Sequence, residues 1–356
     1  MPESIPKTLM LNGVQYEESA LRELIVGKEG ISDPLKEKLF SFLQEWLDND
    51  VHITLKTSGT TGPPKIMRID KQRMIISARM TGQFFGLKPG MKALLCLSPE
   101  FIAGKMMVVR AMELNLDLIT TSLEANPLKD LNQMVDFAAM VPLQVAHTLR
   151  QQPEKFELVK TLIIGGAALP IGIEDDLQNV PTACWHTYAM TETLSHVALR
   201  AINGPQKSEW FTPMQGVEFS LDDRGCLIVN VQAVAEFPVV TNDLVEMKGQ
   251  QFRVLGRIDD VIISAGHKLH PAIIEQKLSK LINTPFFLAS EDHPEAGQIL
   301  VLYLEGKFSN HEINELSNHI KALLEPKEIP RKVVAIPEFK YLKSGKIDRK
   351  TSAGKK

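Results

Sequence analysis

Thr57 to Lys65 read TSGTTGPPK, a run of hydroxyls and glycines that ends in lysine. Hydroxyl and backbone N–H donors without bulk are what a loop needs to wrap the oxygens of a polyphosphate. The order differs from the common G-x-x-x-x-G-K-[ST] nucleotide loop. Two prolines separate Gly62 from Lys65, and Ile66 follows. Those prolines would stiffen the exit of the loop. Alone, the stretch also reads as a solvated Ser/Gly linker. A second stretch, TYAMTET (187–193), sets Glu192 apart from other charges. A lone carboxylate beside phosphate is repelled unless a cation intervenes, and Mg²⁺ takes carboxylate and phosphate oxygens together. A glutamate steadying a helix start is the competing reading. Asp243, in TND, offers two ribose hydroxyls a bidentate acceptor, and is equally an ordinary turn aspartate. Lys346, in SGKIDRK (344–350), lies among Lys340, Lys343, Arg349 and Lys350, by composition a solvated basic tail.

These stretches need a scaffold that brings them together. HITLKTSG (52–59) reads as a short strand running into the loop. Asp70 is placed to cap a helix over 71–85, with Met74, Ile75, Ala78 and Phe85 near helical spacing. KALLCLS (92–98), LDLITTS (116–122), KTLIIGG (160–166) and ACWHTYA (183–189) read as strands. IAGKMMVVRAMEL (102–114) and residues 142–151 read as helices between them. Repeated βα units predict a mostly parallel sheet covered by helices. Ligands bind such sheets beyond the carboxyl ends of the strands, where TSGTTGPPK, GGAALP and TYAMTET are all expected to converge. After about residue 205 a hairpin, VEFSLDDRGCLIVNVQ, and the strand QQFRVLG predict a β-rich subdomain. From about Asp260 a small α+β unit begins, with a helix at 271–282 opened by Pro271 and another capped by Ser309. The expected fold is α/β. A large N-terminal domain spans 1–257, with a mostly parallel sheet, helices and the β-rich subdomain, and a small C-terminal α+β domain spans 258–356.

Composition excludes several classes. The 356 residues are 44% hydrophobic and 23% charged, as in an ordinary globular chain with room for a core. A net charge of −3 provides no drive toward nucleic acid or an anionic membrane. No apolar run approaches the roughly 20 residues that span a bilayer, and MMVV is flanked by Lys105 and Arg110. MPESIPKTLMLNG lacks a cationic start followed by an apolar run, so no secretory signal is expected. Cys96, Cys184 and Cys226 are odd in number and far apart, which argues against a disulfide framework and a Cys-based zinc site. A cytoplasmic protein is expected.

In order and spacing, TSGTTGPPK, TYAMTET, TND, LGRIDDVIISAGHKLHPAIIE (255–275) and SGKIDRK resemble the adenylate-forming superfamily from residue 53 to the C-terminus. That superfamily includes acyl-CoA synthetases, luciferases and peptide-synthetase adenylation domains. The resemblance implies ATP and Mg²⁺, with coenzyme A as co-substrate. It implies that Thr57, Ser58, Gly59, Thr60, Thr61, Gly62 and Lys65 bind the nucleotide from its pyrophosphate end, through a mobile loop. Thr191 is implied at the α-phosphate and Glu192 at Mg²⁺. Gly165, Gly166 and Ala167, with Tyr188, are implied beside AMP, and Asp243 at the ribose, helped by Arg257. Lys346 is implied to hold both the substrate carboxylate and the α-phosphate. A cation is needed there because two anions must meet and charge builds on the phosphate oxygens. Asp259 resembles a hinge about which a mobile C-terminal domain exchanges Lys346 for the thioester-step residues Gly266, His267 and Lys268. His267 and His270 have the spacing of a metal pair, but the resemblance favours a non-metal role. Three departures stand out: Ala189 replaces the usual glycine, the proline usual upstream of the lysine is missing, and only 56 residues precede the loop. Much of the superfamily's first subdomain is therefore expected to be absent or minimal.

The implied reaction joins an acid to the α-phosphate of ATP, releases pyrophosphate, and passes the acyl group to a thiol. TYAMTETLSHVALR most resembles the o-succinylbenzoate–CoA ligases of menaquinone synthesis, with Ser195 and Val197 fitting their pattern. That acid has a second carboxylate, which needs a cation or donors. Lys105, unusual inside an apolar helix start, or Arg110 is the candidate, with Phe101, Ser195 and His196 nearby in the reading. The competing reading lets Lys105 reach solvent along its stem. Another acyl- or aryl-CoA ligase, a stand-alone enzyme loading a carrier protein, and an inactive nucleotide-binding regulatory protein are the alternatives. The last is expected to lose Lys346, Glu192 or Asp243, and all three are present. Expected partners are a small carboxylic acid, ATP and CoA, without nucleic acid or membrane insertion; a homodimer is compatible with this reading.

Overall fold

The computed structural model describes residues 4–27, 33–56, 66–341 and 347–354. Two compact units result. One comprises 1–169, 176–219 and 229–239; the other comprises 170–175, 220–228 and 240–356.

The first unit is built on a nine-stranded sheet. Its strands are β1 (Leu9–Leu11), β2 (Val14–Tyr16), β5 (Lys92–Leu95), β6 (Asp117–Thr120), β7 (Val135–Met140), β8 (Val159–Ile164), β9 (Ala183–Ala189), β10 (His196–Ala201) and β11 (Thr212–Pro213), in the order β11-β10-β9-β8-β7-β5-β6-β1-β2. The central strands from β9 to β1 are parallel, and antiparallel strands close both edges. The parallel strands are continuous apolar runs because both faces are covered; Ala93, Leu94, Leu95, Phe137 and Ala138 are fully buried. The mostly parallel α/β core expected from the βα repeats is therefore present.

The helices of this unit are α1 (Glu18–Val26), α2 (Pro34–Trp46), α3 (Lys71–Phe85), α4 (Ile102–Leu114) and α5 (Pro142–Gln151). Asp70 accepts from Gln72 N at 2.8 Å, and α3 ends in left-handed Gly86. The short N-terminal region uses β1 to extend the main sheet beside β6. Asp33 caps α2, which buries Leu35, Leu39, Phe40, Phe42, Leu43 and Trp46.

One expectation needs correction. The strand before TSGTTGPPK, β3 (His52–Lys56), does not join the parallel sheet. It pairs antiparallel with β4 (Ile66–Asp70), from Lys56↔Ile66 to His52↔Asp70. The loop thus joins the two strands of a separate ribbon, and a strand, not a helix, follows it. Five residues running straight into a helix cap carry too short an alternation to be read as a strand; cross-strand pairing defines it.

The β-rich region, most of which belongs to the second unit, is a four-stranded sheet in the order β12 (Glu218–Leu221), β13 (Cys226–Asn230), β14 (Val239–Lys248), β15 (Gln251–Arg257). A short helix, α6 (Ile171–Asp176), begins in the same unit. A second sheet has β17 (His267–Leu269), β16 (Ile262–Ser264), β19 (Gly297–Glu305) and β18 (Phe286–His293) side by side, with β20 (Lys332–Ile336) parallel to β19. Helices α7 (Pro271–Leu278) and α8 (Asn310–Leu323) pack on it through Ile274, Leu278, Leu302 and Ile320. Ser309 and Glu312 form the reciprocal cap of α8. The helix expected over 271–282 stops at Leu278. A single turn, α9 (Arg349–Ser352), closes the chain, and its Asp348 cap accepts from Thr351 N. Among the described residues no helix is long and apolar enough to cross a membrane.

Candidate active site

Two predicted segments meet at the carboxyl ends of β8 and β9. Thr187 Oγ1 donates to Ile164 O at 3.2 Å, and Gly165 N donates to Met140 O at 3.2 Å. A Cβ on Gly165 would collide with Thr187 Oγ1. Glycine at 165 is thus required first by strand-to-strand approach, while Gly166 adopts φ +82°. His186 Nε2 lies 3.4 Å from Ala167 O. Tyr188 is nearly buried, its ring edge-on to Phe211 at 6.0 Å.

Beyond β9 the chain turns sharply. Thr191–Thr193 form a single turn, and Thr193 Oγ1 lies 2.9 Å from Ser195 O and 3.2 Å from Met190 O. Ser195 N donates to Thr193 O at 2.7 Å, closing a three-residue turn on Leu194. Leu194 has φ 64° and ψ −39°, a strained conformation for a branched side chain that persists where surroundings over-determine it. Its side chain is buried. The turn leaves Thr191 half-buried and Glu192 exposed. The Glu192 carboxylate has no hydrogen-bond or ion-pair partner among the described residues. A free, hard oxygen donor suits Mg²⁺, which is commonly held by one or two carboxylates plus phosphate.

The β9–β10 register then shifts between His196 and Ala198. Such bulges re-aim side chains beside functional sites. Here Ser195 meets Arg110 of α4: Nη2 donates to Ser195 Oγ at 2.6 Å, and Nη1 lies 3.5 Å from Met107 Sδ. Arg110 is 2% exposed, and its Nε has no partner among the described residues. Burial lowers its pKa to about 9, so it stays a cation at neutral pH. No carboxylate among the described residues pairs with it. Lys105, five residues earlier, is different. Its Nζ is 3.0 Å from Glu45 Oε2 and 4.5 Å from the centre of the Phe42 ring. It is buried and already neutralised, neither reaching solvent nor left unpaired. Phe101 is exposed just before α4. Thr81 of α3, absent from the sequence reading, lies 3.2 Å from His196 Nε2. Its one signal was a hydroxyl on the face carrying Met74 and Ala78.

In the second unit, Asp243 of β14 and Arg257 of β15 are register partners. Arg257 donates from Nη1 to Asp243 Oδ1 at 3.3 Å and from Nη2 to Asp259 Oδ2 at 3.0 Å. Asn242, which sequence reading passed over, also binds Asp259. Hydrogen bonds from Asn242 and then Arg257 hold the Asp259 carboxyl below its usual range. Between β16 and β17, Ala265 and Gly266 form a two-residue turn with φ 50° and 79°, the geometry of a tight hairpin. His267 and Lys268 are exposed beyond it. Thr57, Ser58, Gly59, Thr60, Thr61, Gly62, Lys65 and Lys346 lie outside the described residues.

Residues 11–279 match the family model described as AMP-binding enzyme, and the chain belongs to that family. A solved acyl-CoA synthetase (AMP-forming)/AMP-acid ligase II-like protein from Dyadobacter fermentans is 33% identical, with a TM-score of 0.61, covering 93% of this chain and 97% of that one. The 2-succinylbenzoate–CoA ligase of Salmonella typhimurium is 25% identical over 276 residues, 73% of this chain and 56% of that relative. The chain thus spans little more than half of that relative's length. The o-succinylbenzoate coenzyme A synthetase from Bacillus subtilis, solved in complex with ATP and magnesium ion, shares the fold at a TM-score of 0.74 and 16% identity, covering 98% of this chain and 97% of that one.

Proposed function

We propose that this chain is a cytoplasmic, ATP-dependent acid–CoA ligase whose acid is a dicarboxylate, with o-succinylbenzoate as the leading candidate. The observation that carries the choice of acid is Arg110: a buried guanidinium that has, among the described residues, one hydroxyl partner, no carboxylate and an unpartnered Nε. An uncompensated buried cation is costly, and the far carboxylate of the acid would neutralise it with charge-assisted hydrogen bonds. Lys105, engaged by Glu45, is not assigned that role. The Salmonella and Bacillus relatives carry the matching activity in their names.

In the reaction proposed, the other carboxylate attacks the α-phosphate of ATP and pyrophosphate leaves. Thr57 to Gly62 and Lys65 hold the pyrophosphate, Thr191 the α-phosphate, and Asp243 with Arg257 the ribose. Gly165, Gly166, Ala167 and Tyr188 wall the nucleotide. Glu192 would hold Mg²⁺, which offsets phosphate charge. Lys346 stabilises the charge that builds as two anions join. The C-terminal domain, 258–356, turns about Asp259 and brings Gly266, His267 and Lys268 to the site. The CoA thiol then displaces AMP.

ATP–pyrophosphate exchange with o-succinylbenzoate, benzoate and fatty acids tests this. Exchange is expected with o-succinylbenzoate above the others. Exchange only with another acid removes the substrate while leaving the reaction class standing.

A further inference from the structure

Behind Arg110 lies a chain of hydrogen bonds with one proton order. Thr81 donates its single hydroxyl proton to Ser77 O at 3.1 Å. Its oxygen therefore accepts from His196 Nε2, 3.2 Å away. That places the imidazole proton on Nε2 and leaves Nδ1 an acceptor. Ser195 Oγ, 3.3 Å from Nδ1, donates to it. With its proton committed, Ser195 can only accept from Arg110, which donates at 2.6 Å. Thr81 is fully buried and His196 is 4% exposed, so water does not compete at the Thr81–His196 end of this chain. Burial and then the nearby Arg110 charge press the His196 pKa well below 6.5, so the ring is neutral and its Nδ1 lone pair serves as the acceptor for Ser195.

We propose that His196, backed by Thr81, is a positioning residue for the acid: it fixes Ser195 as an acceptor and so holds the Arg110 guanidinium toward the far carboxylate. This inference rests on the dicarboxylate reading of the site. Without the Nδ1 acceptor, nothing fixes the Ser195 hydroxyl, and its lone pairs are no longer held toward the guanidinium. Arg110 then loses its short anchor to Ser195.

The test measures KM and kcat for o-succinylbenzoate and for benzoylpropionate, which lacks the ring carboxylate. His196→Phe keeps bulk and removes the acceptor; His196→Asn restores one. His196→Phe is expected to raise KM for o-succinylbenzoate about tenfold, one lost anchor's worth. The effect on kcat is expected to be much smaller, and KM for benzoylpropionate is expected to move less than about twofold on the same basis. His196→Asn should recover most of the loss. Equal shifts for both acids, or an Asn variant as impaired as Phe, overturns the inference. Thr81→Val tests the same chain from its other end should the Phe variant fail to fold. It should show the same selective rise, and an unselective change counts against the proposal. Arg110→Ala separates the two levels. Loss of discrimination in that variant, with none in His196→Phe, sinks only the positioning role. Unchanged discrimination in Arg110→Ala sinks the dicarboxylate reading with it.

Discussion

Asn242 donates its side-chain amide to both carboxylate oxygens of Asp259, at 2.9 and 3.2 Å. Its own carbonyl accepts from Arg224 Nη1 at 3.0 Å, and Arg224 is tied to Asp222. The proposed hinge carboxylate is thus held from β14 as well as by Arg257. Turning about Asp259 must break or redirect these bonds. In Asn242→Ala, the adenylate-to-thioester step in a single turnover is expected to quicken about two- to fivefold, the scale of one exposed hydrogen bond. Pyrophosphate exchange should barely change. Equal changes in both steps, or none, would place Asn242 outside the hinge.

Glu192→Gln keeps the shape of the side chain and removes its charge. Because the carboxylate is exposed and unpartnered among the described residues, folding should be unaffected. The adenylation rate is expected to fall on the order of a hundredfold, with a higher Mg²⁺ concentration needed for half-maximal rate. A titration of rate against Mg²⁺ that overlays the parent curve would falsify the assignment.

Gly165→Ala should cost about 1–3 kcal/mol through overpacking, since the new methyl meets Thr187 Oγ1. Adding Thr187→Ala removes the colliding atom at the loss of one hydrogen bond to Ile164 O. The double variant is expected to be more stable than Gly165→Ala alone, a coupling seen only between touching residues. Urea midpoints of the four proteins complete the cycle; simple additivity would mean that the backbone moved instead.

His196 makes stability depend on pH. Its folded pKa is depressed below 6.5, so in acid the unfolded chain takes up a proton that the native chain refuses. The contribution is fully present above about pH 6.5 and is lost as pH falls below it, by up to about 1.4 kcal/mol per pH unit. Between pH 7 and pH 5.5, His196→Asn should lose less stability than the parent. Parallel curves would show that His196 takes up its proton in the native state.

Lys105→Met should act on stability rather than on choice of acid. Its ammonium holds Glu45 and sits over Phe42. Losing a largely buried pair while keeping the stem's volume is expected to cost about 1–2 kcal/mol. The KM ratio between o-succinylbenzoate and benzoylpropionate should not move. A selective rise for the dicarboxylate would return Lys105 to the acid site.

Much of the scaffold was legible locally. The limits of α3, α4 and α5 and the Ser309 cap follow from apolar spacing and capping residues within a few positions. The strand β4 was not, because its signal is five residues long and its partner lies across the loop. Asn242 was hidden for a related reason: an amide in a three-residue motif says nothing about a carboxylate 17 residues on.

Residue order by itself determined the family and the sequence of elements, since hydroxyls, glycines and charges at short spacing carry that information wherever the chain folds. Only the tertiary structure decided which cation is paired with a carboxylate. Lys105 is matched by Glu45, 60 residues away, while Arg110 meets Ser195, 85 residues away, and no acid among the described residues. Both cations lie on one apolar helix and look alike in sequence. What separates them is long-range burial: an ion pair formed inside the fold neutralises one charge, and desolvation beside a neutral hydroxyl leaves the other unneutralised among the described residues.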